Sequence, residues 1–159
     1  MGQYFIIAND TKREFLHPHT LGGGLKFMEL VSSPTVWYGF ALLLHSSDGH
    51  GGGDWCCMAP ELRDEHPVVG SWAGDAVYIV GDYDSSNRYD TARNDYRDVS
   101  FDVLGAMCRD TYWREQVRKS CSWRWDPEYG SCSEDERKKY EQVLALPTQY
   151  EIRRDRVGL

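Results

Sequence analysis

Residues 3–9 read QYFIIAN, and this run is the first from which the fold of the 159-residue chain can be predicted. It is short, aromatic and β-branched, which predicts a buried β-strand. The tetrapeptide Asn9-Asp10-Thr11-Lys12 that follows has the composition of a turn. Residues 13–17 then predict a returning strand, so the chain is expected to open with a β-hairpin.

The middle of the chain predicts a second hairpin. Residues 68–72 and 76–83 have the composition of strands, and Ala73-Gly74-Asp75 lies between them as a turn. Residues 85–98 are polar and predict a loop that holds a short helical turn at most. Strands are therefore expected in the early and central parts of the chain.

Helices are predicted from Pro34 onward. Residues 35–46 follow this proline and fit a buried helix better than a buried strand, whereas residues 25–31 fit either. Ser100 is a residue type that favours the N-cap position. It predicts a helix from there to about residue 110, with residue 119 as the alternative end.

The C-terminal part predicts one extended segment and one further helix. Residues 121–125, CSWRW, alternate and fit a strand or an arm. Ser133 and Glu136 form a capping box, in which each side chain reaches an unpaired backbone N–H, and Pro147 stops the helix. The pattern predicts an α+β fold: a single compact domain over residues 1–150 with early and central antiparallel strands and C-terminal helices, then a charged tail over residues 151–159.

Charge is distributed unevenly along the sequence. The net charge is −7, which argues against nucleic acid as a partner. Residues 48–102 hold twelve acidic residues against four arginines, whereas residues 109–125 hold five basic residues against two acidic ones. Basic and aromatic residues interleave in this later segment as they do in single-strand binders, but Trp113 and Val117 have the spacing of a buried helix face. A core role is the preferred interpretation.

Nothing in the sequence predicts a membrane segment, and the cytoplasm is the expected location. Apolar runs such as residues 41–44 are far too short to span a bilayer, and residues 1–6 lack the basic segment of a secretion signal. Five cysteines are an odd number without a C-x-x-C pair, so free thiols are expected. Cys121 and Cys132 flank a turn and are the pair considered for a disulfide bond.

Two loops rich in histidine and glycine are the main candidates for a site. Residues 45–54 read HSSDGHGGGD, and Gly22-Gly23-Gly24 follows His17-Pro18-His19. Glycine lets another group approach the backbone closely, and His17 and His19 would point to the same face of an extended segment. The sequence predicts a ligand-binding site where the two loops meet, formed by His17, His19, His50, Gly51, Gly52, Gly53 and Asp54.

The histidines also allow a divalent metal as cofactor, and no other cofactor is indicated. Imidazole and carboxylate groups are suitable ligands for zinc, manganese or iron, although no established metal-binding spacing is matched. The candidate metal ligands are His17, His19, His45, Asp48 and His50.

A catalytic interpretation is incomplete on the sequence alone. Residues 50–53, HGGG, match the oxyanion loop of lipases and esterases, but the G-x-S-x-G motif of the nucleophile is missing. Cys56 or Cys57 could act as a thiol nucleophile with a histidine, although buried and inert thiols are the preferred interpretation.

The leading functional expectation is a small cytoplasmic domain, not an enzyme, that binds a protein or a small molecule through its His/Gly-rich loops. The first alternative is a small hydrolase or transferase, with or without a metal, that uses His17, His19, His50 and Asp54. The second alternative is an acidic interaction or inhibitor protein, because the middle of the chain is strongly negative.

Five short segments also carry a resemblance: MGQYFIIAN at residues 1–9, LHPH at 16–19, GGGD at 51–54, VGSWAGD at 69–75 and GDYD at 81–84. Taken together, they resemble a family of short, uncharacterised microbial proteins over about the first 110 residues. The resemblance implies a single small domain. It implies no activity and no role for any residue.

Overall fold

The computed structural model describes residues 2–46, 62–125 and 132–157. Within these ranges, four strands form one sheet: β1 (Phe5–Asn9), β2 (Glu14–Leu16), β3 (Val77–Gly81) and β4 (Arg97–Asp98). Their order across the sheet is β3-β1-β2-β4. β1 is antiparallel to both β2 and β3, whereas β4 is parallel to β2, so the sheet is mixed rather than wholly antiparallel.

The first hairpin, β1–β2, is confirmed. Ile7 lies opposite Leu16 and Ala8 lies opposite Phe15. In the turn, the backbone N–H of Lys12 donates to Asn9 Oδ1 at 3.0 Å, the local side-chain bond that makes asparagine a turn residue. The hairpin is a local structure that its own sequence specifies.

β1 is buried on both faces, which explains its continuous apolar composition. Ile7 belongs to the main core together with Leu16, whereas Ile6 and Ala8 point to the opposite face. There they pack beneath the helix α4 (Arg88–Asp95), which contributes Ala92. Residues 85–98 thus hold two turns of helix and an edge strand, more regular structure than the predicted polar loop.

The predicted second hairpin is wrong in one of its two strands. Residues 76–83 do contain β3, but β3 pairs with β1. Residues 68–72 instead form consecutive turns after the short helix α3 (Leu62–Glu65). Their backbone N–H groups bond to the end of another helix, Gly70 to the Leu42 carbonyl at 2.8 Å and Trp72 to the Leu43 carbonyl at 2.9 Å.

The helix that receives these bonds is α2 (Pro34–Leu44), which confirms the helix predicted for residues 35–46. It begins with proline at its first position, where the missing N–H costs nothing. Before it lie a 3₁₀ helix (Pro18–Leu21) and α1 (Phe27–Val31), so the ambiguous residues 25–31 contain a helix.

The long helix considered for residues 100–119 is two helices, α5 (Ser100–Met107) and α6 (Thr111–Cys121). Asp110 separates them, because its carboxylate accepts from the Trp113 N–H at 3.0 Å and caps α6. Ser100 is the first residue of α5 and not its cap. Its own N–H donates to the Asp98 carboxylate at 2.9 Å, and its hydroxyl accepts from the His17 N–H at 2.7 Å.

The C-terminal part is helical. Ser122–Trp125 is a 3₁₀ helix rather than the predicted strand or arm. The capping box of Ser133 and Glu136 is present and opens α7 (Glu134–Leu144), as predicted. A further helix, α8 (Gln149–Val157), occupies most of the segment that the sequence suggests to be a charged tail. It also begins with a capping box, in which the side chains of Thr148 and Glu151 accept from each other's backbone N–H.

The predicted α+β class is confirmed: early and central strands form one sheet, and helices dominate the later chain. The main core lies between the sheet, α2 and α5 and includes Trp72 and Tyr140. In the part of the chain that the structure describes, no helix is both long enough and apolar enough to cross a bilayer.

Candidate functional site

Two regions of the molecule bring together side chains that can bind a ligand or exchange a proton. The first is the histidine cluster, defined as His17, His19, Trp123 and Arg124. The His17 and His19 rings are 5.7 Å apart at an angle of 78°, and the His19 ring is 5.4 Å from that of Trp123. The two histidines thus lie together, but His19 belongs to the 3₁₀ helix and not to the extended segment on which the prediction rested.

Both imidazoles of the histidine cluster are held in the neutral form. Burial lowers the pKa of His17 to about 3, and the charges of Arg93 and Arg124 and the neighbouring His19 act in the same direction. Burial and Arg124 also lower the pKa of His19, against an opposing effect of Glu29. Neutral imidazole is the form that binds metals, but it is also the form expected of a packed core histidine.

Arg124 anchors this cluster to α7. Its side chain is 6% exposed and pairs with Glu136 at 3.4 Å. The guanidinium carbon lies 5.8 Å from the centre of the Trp123 ring and 5.9 Å from that of Tyr140. Its Nε–H has no hydrogen-bond partner among the described residues. Packing between aromatic rings is a common environment for a buried arginine and holds the cluster in place.

The glycine run 22–24 allows neighbouring elements to pack closely against this loop. Gly22 ends the 3₁₀ helix with φ +80°, and a Cβ there would lie 2.5 Å from Ser120 Cβ and 2.8 Å from its backbone carbon on α6. A Cβ at Gly23 would clash with Val36, and one at Gly24 with Glu29. Glycine is required because three elements approach this loop closely, so the run needs no ligand to explain it.

The predicted convergence of the two loops stays a prediction. His50, Gly51, Gly52, Gly53 and Asp54 lie outside the described residues, and so does the metal candidate Asp48. His45 lies at the C-terminal end of α2, where its carbonyl oxygen approaches Gly70. In the ranges that the structure covers, no three His, Cys, Asp or Glu side chains are grouped so that they could hold a metal ion.

The second region is a cavity of about 550 Å³, hereafter the cavity, which sequence reasoning missed. Its walls come from residues 65–71, from the edge strand β4 and from α5. The apolar part of the wall consists of Pro67, Val68, Phe101 and Gly105, and the polar part consists of Glu65, His66, Ser71, Arg97 and Asp102.

Ser71 contributes a polar atom without a partner. Its hydroxyl oxygen is buried and forms no hydrogen bond with any described residue. The turns of residues 67–74 place it there, because Gly70 adopts φ +76° and fits against the His45 carbonyl, 2.5 Å from where a Cβ would lie. Buried hydroxyl groups are normally paired, so this one is an exception that calls for an explanation.

His66 and Glu65 are held by Arg109. The Arg109 Nε–H donates to His66 Nε2 at 2.9 Å, Nη1 donates to the Pro147 carbonyl at 2.9 Å, and Nη2 is bonded to the Glu65 carboxylate. Burial and Arg109 lower the pKa of His66, while Glu65 and Asp102 oppose them. One buried guanidinium therefore fixes the cavity wall and the chain just before α8.

On the β4 side of the cavity, Arg97 also forms hydrogen bonds with carboxylates. Its Nη2 donates to Glu14 Oε1 at 2.7 Å and its Nη1 to Asp102 Oδ2 at 2.8 Å. The other oxygen of Glu14 accepts from the indole N–H of Trp72 at 2.7 Å. The charged groups of the cavity are thus arranged as ion pairs that the sheet and the core hold in place.

This arrangement does not provide an activated nucleophile. The Ser71 hydroxyl forms no hydrogen bond with His66, and His66 Nε2 already accepts from Arg109, so a serine–histidine pair of the hydrolase type is not formed. Burial raises the pKa of Cys108 and of Cys121 to about 12, which keeps both as thiols. The candidate nucleophiles Cys56 and Cys57 lie outside the described residues. Cys121 and Cys132 are free thiols.

The basic segment 109–125 uses most of its charges internally. Arg109 and Arg124 are buried, and Arg114 donates to the Cys108 carbonyl at 3.0 Å and to that of Leu146. Trp113 stacks on Tyr38 with ring centres 4.0 Å apart. Trp113 is half-buried, but Tyr112 and Trp123 are exposed at 63% and 41%, so the predicted core role is wrong for these two residues.

The sequence carries only a weak signal for the cavity. Glu65-His66-Pro67 is a polar segment that resembles a simple connection, and Gly70 and Gly105 are single glycines. Gly105 within a predicted helix is the residue that could have indicated close packing or a space. Comparisons with protein-family models, curated proteins and solved structures found no match for this chain.

Proposed function

We propose that this protein is a binding domain for a small organic ligand, which it holds in the cavity between residues 65–71 and α5. This proposal keeps the binding function that the sequence predicts. It moves the site from the His/Gly-rich loops to residues that the sequence does not single out.

The observation that carries the proposal is the buried Ser71 hydroxyl without a partner in the wall of the cavity. An unpaired buried hydroxyl costs about 1–3 kcal/mol relative to a paired one. A ligand in the cavity that accepts or donates one hydrogen bond would recover that free energy once rotation of the Ser71 side chain turns the hydroxyl toward it. The fold gains nothing from the hydroxyl itself, which makes a binding role the simplest reason for it.

The size and composition of the cavity fit a small molecule. A volume of about 550 Å³ lies within the range of roughly 300–1,000 Å³ that is usual for ligand pockets. Such pockets combine apolar walls with a few polar groups, and here Pro67, Val68 and Phe101 accompany charged groups that are arranged in ion pairs.

Binding is favoured over catalysis because the polar groups are not connected to each other in a catalytic manner. A nucleophile needs a base within hydrogen-bond reach, and a base needs a free lone pair. Among the described residues, Ser71 has no base within hydrogen-bond reach, and the lone pair of His66 Nε2 is already used to accept from Arg109. The same groups can position a ligand without any change in their contacts.

The test is an NMR titration of the ¹⁵N-labelled protein with benzyl alcohol, a neutral probe that has an aromatic body and one hydroxyl. Weak binding is expected, because so small a ligand seldom exceeds millimolar affinity. We expect saturable shifts of the Val68, Ser71 and Gly105 amides and none on α1, for example at Met28, which is exposed and does not line the cavity. No saturable shift up to about 10 mM, or shifts centred elsewhere, would overturn the proposal.

A further inference from the structure

We propose that the ligand of the cavity is a small organic cation, an amine carried on an apolar body. This inference rests on the proposed function and specifies the class of ligand for the same site. Four features of the cavity lead to it: its arginines, its histidine, its carboxylates and its apolar wall.

The arginines near the cavity are already committed to protein acceptors. All three nitrogens of the Arg97 guanidinium donate to carboxylates, Nη2 and Nε to Glu14 and Nη1 to Asp102. All three nitrogens of Arg109 are bonded as well, to His66, Pro147 and Glu65. Each guanidinium keeps N–H groups that these bonds do not use, but carboxylates already balance its positive charge, so a carboxylate or a phosphate gains little Coulombic attraction in the cavity.

The histidine does not supply a positive charge either. His66 Nε2 accepts a hydrogen bond from the Arg109 Nε–H, which requires that this nitrogen keep its lone pair. The adjacent guanidinium and burial lower the pKa of His66 and act against protonation. At neutral pH the ring is therefore a neutral part of the wall.

The carboxylates, in contrast, have acceptor capacity left. Glu65 and Asp102 are 48% and 52% exposed, and among the described residues each forms one ion pair, with Arg109 and Arg97 respectively. A carboxylate offers about four lone-pair positions, so neither group is saturated by its arginine. The net charge of the protein is −7, which favours the approach of cations over that of anions.

The remaining wall is apolar and explains the body of the ligand. Pro67, Val68 and Phe101 form a surface on which a ring or a short alkyl chain can pack, and Gly105 adds no side chain there. The Ser71 hydroxyl then provides a second polar contact for a hydroxyl or amino group. Acidic groups beside an apolar wall are complementary to an amphiphilic amine.

The experiment compares three probes with the same ring and different charge: benzylamine, benzyl alcohol and benzoate, which are cationic, neutral and anionic at neutral pH. Each is titrated into the labelled protein at low salt, and dissociation constants come from the Val68, Ser71 and Gly105 amides. We expect benzylamine to bind most tightly and benzoate least, with at least about a fivefold difference between them, as partly exposed charges permit.

Asp102→Asn is the variant that tests the role of charge. It removes the negative charge that attracts the amine and balances Arg97, while the amide oxygen can still accept from Nη1, so we expect weaker binding of benzylamine and tighter binding of benzoate. Asp90→Asn is the matched control, because Asp90 also lies in the first turn of its helix, is exposed and does not line the cavity. It should leave the ratio of the two constants within about twofold of wild type.

The outcomes separate this inference from the proposed function. If all three probes bind at the cavity with equal affinity, or benzoate binds best, the ligand is not a cation, although the cavity remains a binding site. If Asp102→Asn weakens all three probes alike, Asp102 acts only through the shape of the cavity and the inference is again wrong. If benzyl alcohol produces no shifts at the amides of the cavity, the proposed function itself is wrong.

Discussion

Two serines show how differently one side chain can be used in this molecule. The Ser100 hydroxyl accepts from the His17 N–H at 2.7 Å and donates to the Asp98 carboxylate. The buried Ser71 hydroxyl has no partner among the described residues. The first group therefore stabilises the fold, whereas the second lowers its stability.

Alanine substitution of each serine tests this contrast. Ser100→Ala should lower the free energy of unfolding by about 1–3 kcal/mol, because it leaves the His17 N–H without an acceptor. Ser71→Ala should leave it unchanged or raise it by up to about 1 kcal/mol. Urea denaturation measures both values. A loss in Ser71→Ala as large as that in Ser100→Ala would mean that the Ser71 hydroxyl is paired in solution.

His17 gives stability a pH dependence whose sign can be worked out. Its pKa in the folded protein is about 3, below its ordinary value of 6.5. Between these values the unfolded chain binds a proton that the folded protein does not bind. The free energy of unfolding should therefore fall as the pH is lowered from 6.5 toward 3, with a slope of up to about 1.4 kcal/mol per pH unit from this group.

Denaturation at several pH values, in wild type and in His17→Asn, measures the contribution of this group. The variant should lose part of the slope between pH 6 and pH 4, while the carboxylates contribute equally in both proteins. Equal slopes in the two proteins, or an imidazole signal of His17 that titrates near pH 6.5 by NMR, would contradict the buried neutral state.

At the level of elements, the 3₁₀ helix Pro18–Leu21 packs against α6 through Gly22. Gly22→Ala adds a Cβ that meets the backbone of Ser120, in addition to the strain of a positive φ. Gly74 has a similar φ of +82° but open space around it, so Gly74→Ala carries the strain alone, about 1–2 kcal/mol. Thermal denaturation should show a clearly larger loss for Gly22→Ala, and equal losses would exclude the close approach.

Arg109 links two elements and is a positioning residue for the cavity. It bonds to His66 and Glu65 in the wall and to the Pro147 carbonyl just before α8. Arg109→Lys cannot keep all three contacts, so it should weaken benzyl alcohol binding and speed amide exchange at the start of α8. Arg118→Lys, at an exposed pair with Glu115, is the control and should change neither. Unchanged binding in Arg109→Lys would remove its positioning role.

The sequence predicts those elements that are stabilised by contacts between residues close together in the chain. The β1–β2 hairpin follows from Asn9 and its turn, and α7 follows from the reciprocal bonds of Ser133 and Glu136. Residues 68–72 have strand composition but cap α2, and a contact with residues so far along the chain leaves no mark in a local pattern. Residues 122–125 follow α6 directly, and no residue in the sequence marks the end of that helix, so their 3₁₀ helix was not predicted.

The candidate site was harder to predict for the same reason. His17 and His19 are close in sequence, so their contact could be anticipated. The cavity joins residues 65–71 to Arg97, Phe101, Asp102 and Gly105, and these become neighbours only when the chain folds. Whether His50 and Asp54 approach the histidine cluster stays a prediction, because both lie outside the described residues.

For the molecule as a whole, the central claim is that the cavity is a binding site and not a defect of packing. Gly105 lies on α5 at its wall, and a Cβ there would meet only His66, at 3.4 Å and 3.7 Å, which is ordinary contact. Gly105→Ala should therefore fill part of the cavity without a clash. It should also stabilise α5 by up to about 1 kcal/mol, because alanine favours a helix.

The most direct measurement is the free energy of unfolding of wild type and Gly105→Ala, each with and without benzyl alcohol. A ligand at ten times its dissociation constant stabilises the folded protein by about 1.4 kcal/mol. We expect this gain in wild type and a smaller gain in Gly105→Ala, because the added methyl group occupies part of the cavity, although the variant alone is at least as stable as wild type. An equal gain in both proteins, or none in wild type, would contradict a binding site in the cavity.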